Sequence, residues 1–574
     1  MSIARLPVML LWHMHQPQYR DALTGRYLLP WTYLHAIKDY VDMAAHLEAN
    51  PGARAVVNFT PVLLEQLQDY AAAIAAHLSG QAPLPDPVLA LLGAEPLPAD
   101  ADTRLALLKA CLRAQRQHLI DRYPAYERLA RLADALDTPA SVIYASDQYL
   151  RDLAMWYHLA WLGETVKRTD ARVAAWMERA GGFGADERRG LLTLIGELIG
   201  SLLPRYRALA VAGRIELTAS PYAHPLVPLL LDFRAARESV PASPLPHADH
   251  YPGGAQRVDW HMEHAMDTFT RVFGAAPRGL WPSEGAISAP ALASINQHGL
   301  SWYASSESVL HGCLAAGDAA ATPAAAEEQH NAPGHLPVLH VYQVPGQNLH
   351  GFFRHDGLSD LIGFTYSKWH ADDAVEHFVA QLVQMADAAE GPDPCLLIAL
   401  DGENAWEYYP FNGYYFLHGL YAALSNHPRL ELTTPGALLA RKPKVLPLPR
   451  VVAGSWVHGT LATWIGDADK NRGWDLLVAA KRVFDEVMAT DALDAGQRAA
   501  AERQLAQCES SDWFWWFGDY NPYEAVRDFD WLYRQQLTSL YRLLRRPVPA
   551  ELSVPVSVGR GAPEAGGVMR RGAE

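Results

Sequence analysis

Apolar positions gather into short unbroken runs in some parts of the chain and fall into helical periodicity in others. Pro7 to Trp12 is a continuous apolar stretch closed by polar residues, and Ala53 to Phe59 repeats it; both read as buried strands. From about residue 61 to 212 the pattern turns helical and rich in Ala, Leu and Arg. It breaks at the Pro-laden Gln81 to Asp102 and near Gly181 to Gly184, so a long helical insertion is expected. Strand-like runs return at Arg214 to Thr218, Gly279 to Trp281, Leu300 to Ala304, Leu339 to Val344, Leu349 to Phe353 and Cys395 to Leu400. Helical stretches such as Asp259 to Phe273 and Ala371 to Ala389 separate several of them. Strand and helix in alternation predict a parallel α/β fold, and the absence of a GxGxxG turn favours a barrel over an open sheet.

Two stretches depart from this alternation. Ala315 to Pro333 is Ala-dominated and reads as a loop of low complexity, and the Pro-rich Lys442 to Pro449 marks a boundary. Beyond it Trp474 to Thr490 and Ala495 to Cys508 have helical character. The organisation expected is a catalytic unit over 1–445 with its insertion at about 61–212, a helical unit over 446–550, and a disordered Gly-, Ala- and Arg-rich tail over 551–574.

Composition narrows the function. Half of the residues are hydrophobic, enough for a large core, while a net charge of -15 argues against nucleic acid, whose phosphates require clustered Lys and Arg. Neutral polymers stay open as substrates. The four cysteines stand far apart without CxxC spacing, which fits a reducing compartment. The apolar run Val8 to Trp12 is too short for a signal peptide or a membrane span, so a cytoplasmic location without membrane contact is expected. No cofactor, metal or protein partner is called for.

Candidate chemistry lies where apolar runs end. Glu284 closes Leu280-Trp281-Pro282-Ser283-Glu284, and Asp401 opens Asp401-Gly402-Glu403-Asn404-Ala405-Trp406 after an apolar run. An acid just past a buried strand sits at the carboxyl edge of a sheet, where α/β barrels build their sites. An indole beside it suits the apolar face of a sugar. His13 and His15 alternate as the first run ends and so face one side, ready to grip a substrate or a metal, or simply buried as core histidines. Glu216, Thr218 and His224 form a third polar cluster around a strand end, which otherwise is a turn closed by prolines.

Taken in order, His13-Met14-His15-Gln16-Pro17, Glu216 through His224, Trp281-Pro282-Ser283-Glu284 and Asp401-Gly402-Glu403-Asn404 resemble the successive motifs of glycoside hydrolase family 57. The similarity continues through Phe353-Arg354, Leu358 to Phe364, Gly454-Ser455-Trp456, Lys470-Asn471-Arg472 and Ser511-Asp512-Trp513-Phe514-Trp515-Trp516, in the manner of the α-amylase and amylopullulanase branch.

The resemblance implies a barrel of seven β/α units with a helical carboxyl-terminal domain, acting on α-glucan with retention. It implies Glu284 as nucleophile and Asp401 as general acid/base, with His13, His15, Gln16, Glu216, His224, Glu403, Asn404 and Trp456 about the substrate. Trp281 and Trp406 would flank the sugar. Arg354 and Asp360 either rim the site or cap a helix, and Trp513 and Trp515 either stack on substrate or pack a core. Two departures, His355 where relatives often have an acid and Ala405 where proline is common, bear on subsite preference. Three alternatives remain: a 4-α-glucanotransferase or branching enzyme, in which a sugar hydroxyl resolves the same intermediate; a metal-dependent hydrolase or deacetylase binding zinc through His13, His15, His224 and Asp401; and a non-catalytic glucan-binding protein.

Overall fold

The computed structural model describes residues 5–93, 96–317, 336–562 and 569–570. Ten strands occur among them: β1 (Leu6–Met14), β2 (Ala55–Phe59), β3 (Ile215–Ala219), β4 (Gly279–Leu280), β5 (Trp302–Ser306), β6 (Val341–Gln343), β7 (His350–Arg354), β8 (Leu396–Asp401), β9 (Leu430–Leu432) and β10 (Val445–Pro447). Seven of these, in the order β1-β2-β3-β4-β5-β7-β8, pair in parallel and close where β8 meets β1. The result is a (β/α)7 barrel with helical insertions and a helical carboxyl-terminal region. β9 adds to β1, β6 runs antiparallel beside β7, and β10 follows β6.

Alternation along each strand decides what fills the barrel. Val8, Leu10, Trp12 and Met14 face outward into the large core under the helices, whereas Met9 and Leu11 turn inward onto Val56, Trp302, Phe352, Leu397 and Ala399. The lumen is therefore a packed apolar plug. Two residues further along the same inward rows stand His13, Asn58, Arg354 and Asp401, all buried or nearly so at the carboxyl ends of the strands. The register sets His13 directly beside both Asn58 and Asp401. This change from apolar to polar within each inward row places the site.

The four helices Ala468–Met488, Ala495–Cys508, Asp512–Trp516 and Tyr523–Leu543 pack over that end. Glu509, fully buried, anchors them to the barrel helix Gly254–Phe273 by accepting from Arg257 Nη2 (2.8 Å), His261 Nε2 (2.7 Å) and the Tyr251 hydroxyl (2.6 Å). These partners hold its carboxyl down at about 2 against the pull of burial. Removing one side of such a buried pair costs about 3–5 kcal/mol.

Several elements differ from expectation. The Pro-rich Lys442 to Pro449 contributes β10 to the sheet, and Gly454 bridges to Ile287, so the chain stays tied to the barrel across this segment. The Gly- and Ala-rich composition after residue 550 suggests disorder, yet Val556 and Ser557 are buried and donate backbone N–H groups to Asp530 (2.6 and 3.1 Å). A buried carboxylate partner orders a segment that composition alone marks as loose. The Ala-rich loop, residues 315 to 333, lies almost wholly outside the described residues. All four cysteines are buried thiols, and among the described residues no helix is long and apolar enough to cross a membrane.

Candidate active site

A cleft of about 450 Å³ opens over the polar ends of the inward rows, and Glu284 and Asp401 both line it. Glu284 sits in a one-turn 3-10 segment, Ser283–Gly285, which follows β4 after Trp281 and Pro282, with the left-handed backbone angles φ 60° and ψ 24°. A side chain of this size in that region costs of order 1–3 kcal/mol, and such strain persists where surrounding contacts over-determine it. Here those contacts are visible. Ser511 Oγ donates to Oε1 (2.8 Å), Trp456 Nε1 donates to Oε2 (3.1 Å), and the Trp456 backbone N–H donates to the Glu284 carbonyl (3.0 Å).

Asp401 ends β8 and is held through Oδ2 by the Asn404 amide (2.9 Å). Next to it Glu403 accepts from the His15 backbone (3.0 Å), the Tyr40 hydroxyl (3.1 Å) and Gln16 Nε2 (3.4 Å). His13 Nδ1 meets Asn58 Oδ1 at 2.6 Å, and His15 Nε2 meets Asp512 Oδ2 at 2.8 Å. His224 also has a left-handed backbone, φ 60°, and its Nδ1 lies 2.9 Å from Ser511 Oγ. Because the Ser511 proton goes to Glu284, His224 Nδ1 must carry the hydrogen in that contact. A relay therefore runs from His224 through Ser511 to Glu284.

Burial dominates the electrostatics. It pushes Glu284 up to about 8, helped by the Asp512 charge, and Asp401 up to about 6, while Glu403 rises through burial and the neighbouring Asp401. His13 drops to about 3 through burial and its neighbour His15, and His224 falls for the same reasons. Both imidazoles are thus neutral at physiological pH. Between about pH 6 and 8 the Glu284–Asp401 pair holds one proton, and the pH dependence of the site belongs to the pair.

A stability consequence follows. The unfolded chain releases these protons near 4.5 and 3.8, the folded chain only near 8 and 6, so the associated stability is complete below the unfolded values and is lost as pH rises through the folded ones. The melting temperature is expected to fall between pH 5 and 8.5, and Glu284→Gln with Asp401→Asn should flatten that decline. Parallel curves for the two proteins would contradict it.

The zinc arrangement meets a geometric obstacle. Among the described residues one set of side chains converges closely enough for an ion, His15, His224 and Asp512, which leaves out His13 and Asp401. The His15 and His224 rings stack, with centroids 4.1 Å apart and 28° between planes. Stacked imidazoles send their lone pairs side by side, whereas a tetrahedral ion requires them to converge at about 2.0–2.1 Å. With His13 stacked on both, at 5.8 Å from His15 and 4.9 Å from His224, the three rings form a wall.

Other sequence candidates divide. Trp456 and Trp515 line the cleft, together with His13, His15, Gln16, Glu403 and Asn404. Arg354 is buried against Asp356 (2.8 Å) and Asp360 (3.5 Å) and lines a side cavity that also reaches Asp401. Trp281 and Trp406 do not flank the cleft. Trp281 is fully buried in the barrel plug against Trp456, and Trp406 is buried with its indole N–H on the Gly402 carbonyl (2.8 Å). Glu216 lies two residues earlier on the inward row of Thr218, and accepts from Trp302 Nε1 and the Gly436 backbone (both 2.8 Å) at the amino end of the lumen. Trp513 is core, donating to the Gln507 carbonyl (3.0 Å). Sequence reasoning weighs the aromatics of 511–516 and passes over Ser511 and Asp512, although a polar pair ahead of four aromatics is a visible signal. Trp31, His35, Trp161 and Glu407 also line the cleft, without a local pattern to mark them.

The family model for glycosyl hydrolase family 57 matches residues 9–447. The chain belongs to glycosyl hydrolase family 57. Among solved structures, this family 57 protein is similar to the branching enzyme of Pyrococcus horikoshii, with 13% identity, a TM-score of 0.54 and coverage of 99% of this chain and 100% of the other. It is also similar to the branching enzyme of Thermococcus kodakaraensis (14%, 0.52, 97% and 98%) and to the α-amylase of Thermotoga maritima (12%, 0.52, 96% and 95%). At these identities the likeness concerns the fold. No curated protein gives a significant match by sequence.

Proposed function

We propose that the family 57 protein cleaves α-glucan with retention of configuration, in the manner of an α-amylase or amylopullulanase. A Glu284 oxygen attacks the anomeric carbon, the glycosidic C–O bond breaks, and the proton on Asp401 passes to the departing oxygen. Water returns a proton to Asp401 as its oxygen displaces the Glu284 ester. The observation that carries the reading is the set of fixed donors on Glu284: both oxygens accept hydrogen bonds, the pattern of a carboxylate that works as an anion. Asp401 is engaged through Oδ2 by Asn404, which allows Oδ1 to bear a proton. With one proton on the pair, the working form places it on Asp401. Trp456, Trp515 and Trp516 offer apolar faces to the sugar. The substrate class is supported by the similar structures, two named branching enzymes and one an α-amylase.

Proton NMR of maltoheptaose digestion tests this: the α-anomer of the new reducing end should appear first, with shorter oligosaccharides accumulating. A first-formed β-anomer, or loss of activity on chelation, overturns the mechanism. Products longer than the substrate assign the intermediate to a sugar acceptor, as in a glucanotransferase or branching enzyme.

Ser511→Ala supplies a second check. The lost hydrogen bond makes Glu284 more basic, so less of the singly protonated pair is in the working form. kcat/KM should fall about tenfold or more, and its basic limb should move upward from about 8. A fall without movement of that limb contradicts the relay.

A further inference from the structure

The side cavity beside Asp401 is also lined by Met569 and Arg570, which return to the barrel mouth from a part of the chain whose composition carries no site signal. Its wall shares Asp401, Trp456 and Trp515 with the main cleft, so the two spaces adjoin. Met569 is buried. The Arg570 guanidinium lies over the Trp515 ring at 4.6 Å and the Tyr520 ring at 4.1 Å, and donates to Asn521 Oδ1 (3.3 Å). The preceding stretch is fixed to the same helical region. Ser557 Oγ donates to Asp469 (2.8 Å), and the Arg560 and Gly561 backbones donate to the Asp519 (2.9 Å) and Asn521 (3.0 Å) carbonyls.

The composition of this cavity matters. An indole face, a carboxylate pair in Asp401 and Asp360, and the Arg354 guanidinium are the groups that hold a neutral pyranose, with its apolar face on the ring and its hydroxyls on the charges. Arg570 covers Trp515 with a cation–π contact and so competes with a sugar for that ring. In a retaining glycosidase the proton donor stands at the leaving-group oxygen, so space beyond Asp401 belongs to the leaving side of the glucan.

We propose that Met569 and Arg570 occupy a leaving-side glucosyl subsite and thereby set how many glucose units the enzyme accepts beyond the scissile bond. This rests on the function proposed above. The segment acts as a stop. Short substrates end before it, and longer ones must displace it, at a cost equal to the contacts Arg570 makes.

The full chain carrying Met569→Ala with Arg570→Ala tests the stop, alongside the single Arg570→Ala variant in case the double change perturbs folding. KM would be measured on maltotriose through maltoheptaose, and binding of the same sugars by calorimetry in a Glu284→Gln background. The variant is expected to bind maltoheptaose about tenfold more tightly than the parent, with a gain that grows with chain length and products that shift toward longer leaving fragments. Equal affinity and product pattern at every length overturn the stop alone. Absence of glucan binding in both parent and variant overturns the proposed function, and with it the ligand named here.

Discussion

Glu284→Gln should lower kcat on maltoheptaose by a factor of about 10^3 or more, because the amide cannot form the glycosyl ester on which both half-reactions depend. The substitution is nearly isosteric, and Ser511 Oγ and Trp456 Nε1 still find an oxygen or can turn to solvent in a site only 9% exposed. The barrel should therefore stay folded, and melting above pH 8 should be no lower than in the parent, since burial of an ionised Glu284 is removed. Intact-mass spectrometry with a 2-fluoro-glucosyl donor gives the direct measurement: the parent gains one glycosyl adduct and the variant none. An adduct that persists in the variant, or near-parental kcat, places the nucleophile elsewhere.

Asp401→Asn should act differently, because its task depends on the leaving group. For a natural glucan the departing alkoxide needs a proton, and loss of general acid catalysis costs about 10^2–10^4 in rate. An aryl glucoside with an acidic phenol leaves unaided, so glycosylation should be largely spared while hydrolysis of the ester becomes slow. Added azide, which needs no general base, should then restore turnover and yield an azido sugar. Equal losses on both substrate types, with no response to azide, contradict the assignment. The basic limb near 8 should also vanish from the pH profile, since the proton lost there from the working pair is the one Asp401 supplies.

Much of this architecture is legible in the chain because parallel strands buried on both faces leave unbroken apolar runs. Pro7 to Trp12 and Cys395 to Leu400 mark β1 and β8, and the acid or histidine that ends each run marks the carboxyl edge. Strands of three residues such as β9 and β10 carry too little pattern to be seen, and in β10 Pro447 argues against a strand. Indoles mislead most. Trp281 and Trp406 neighbour the two acids in sequence, but tryptophan serves core packing and sugar stacking equally well, and only the folded chain settles which. Glu216 fails for a related reason: it shares the inward row of Thr218, yet one layer lower the row meets Trp302 and Gly436, not the cleft. Ser511 escapes notice because its importance lies in a partner 227 positions earlier.

The bond between His15 and Asp512 joins positions 497 apart, and Ser511 completes the cradle of Glu284. A ribosome that has finished every barrel strand, through Leu396–Asp401, and the added strand Val445–Pro447 as well, has yet to make the Ser511 hydroxyl. The nascent barrel can thus close with its glutamate uncradled, and glucan chemistry would begin only some seconds later in synthesis, at about 5–20 residues per second. Competence of this kind is timed by translation: the side chains that fix the glutamate exist only once synthesis has passed the barrel.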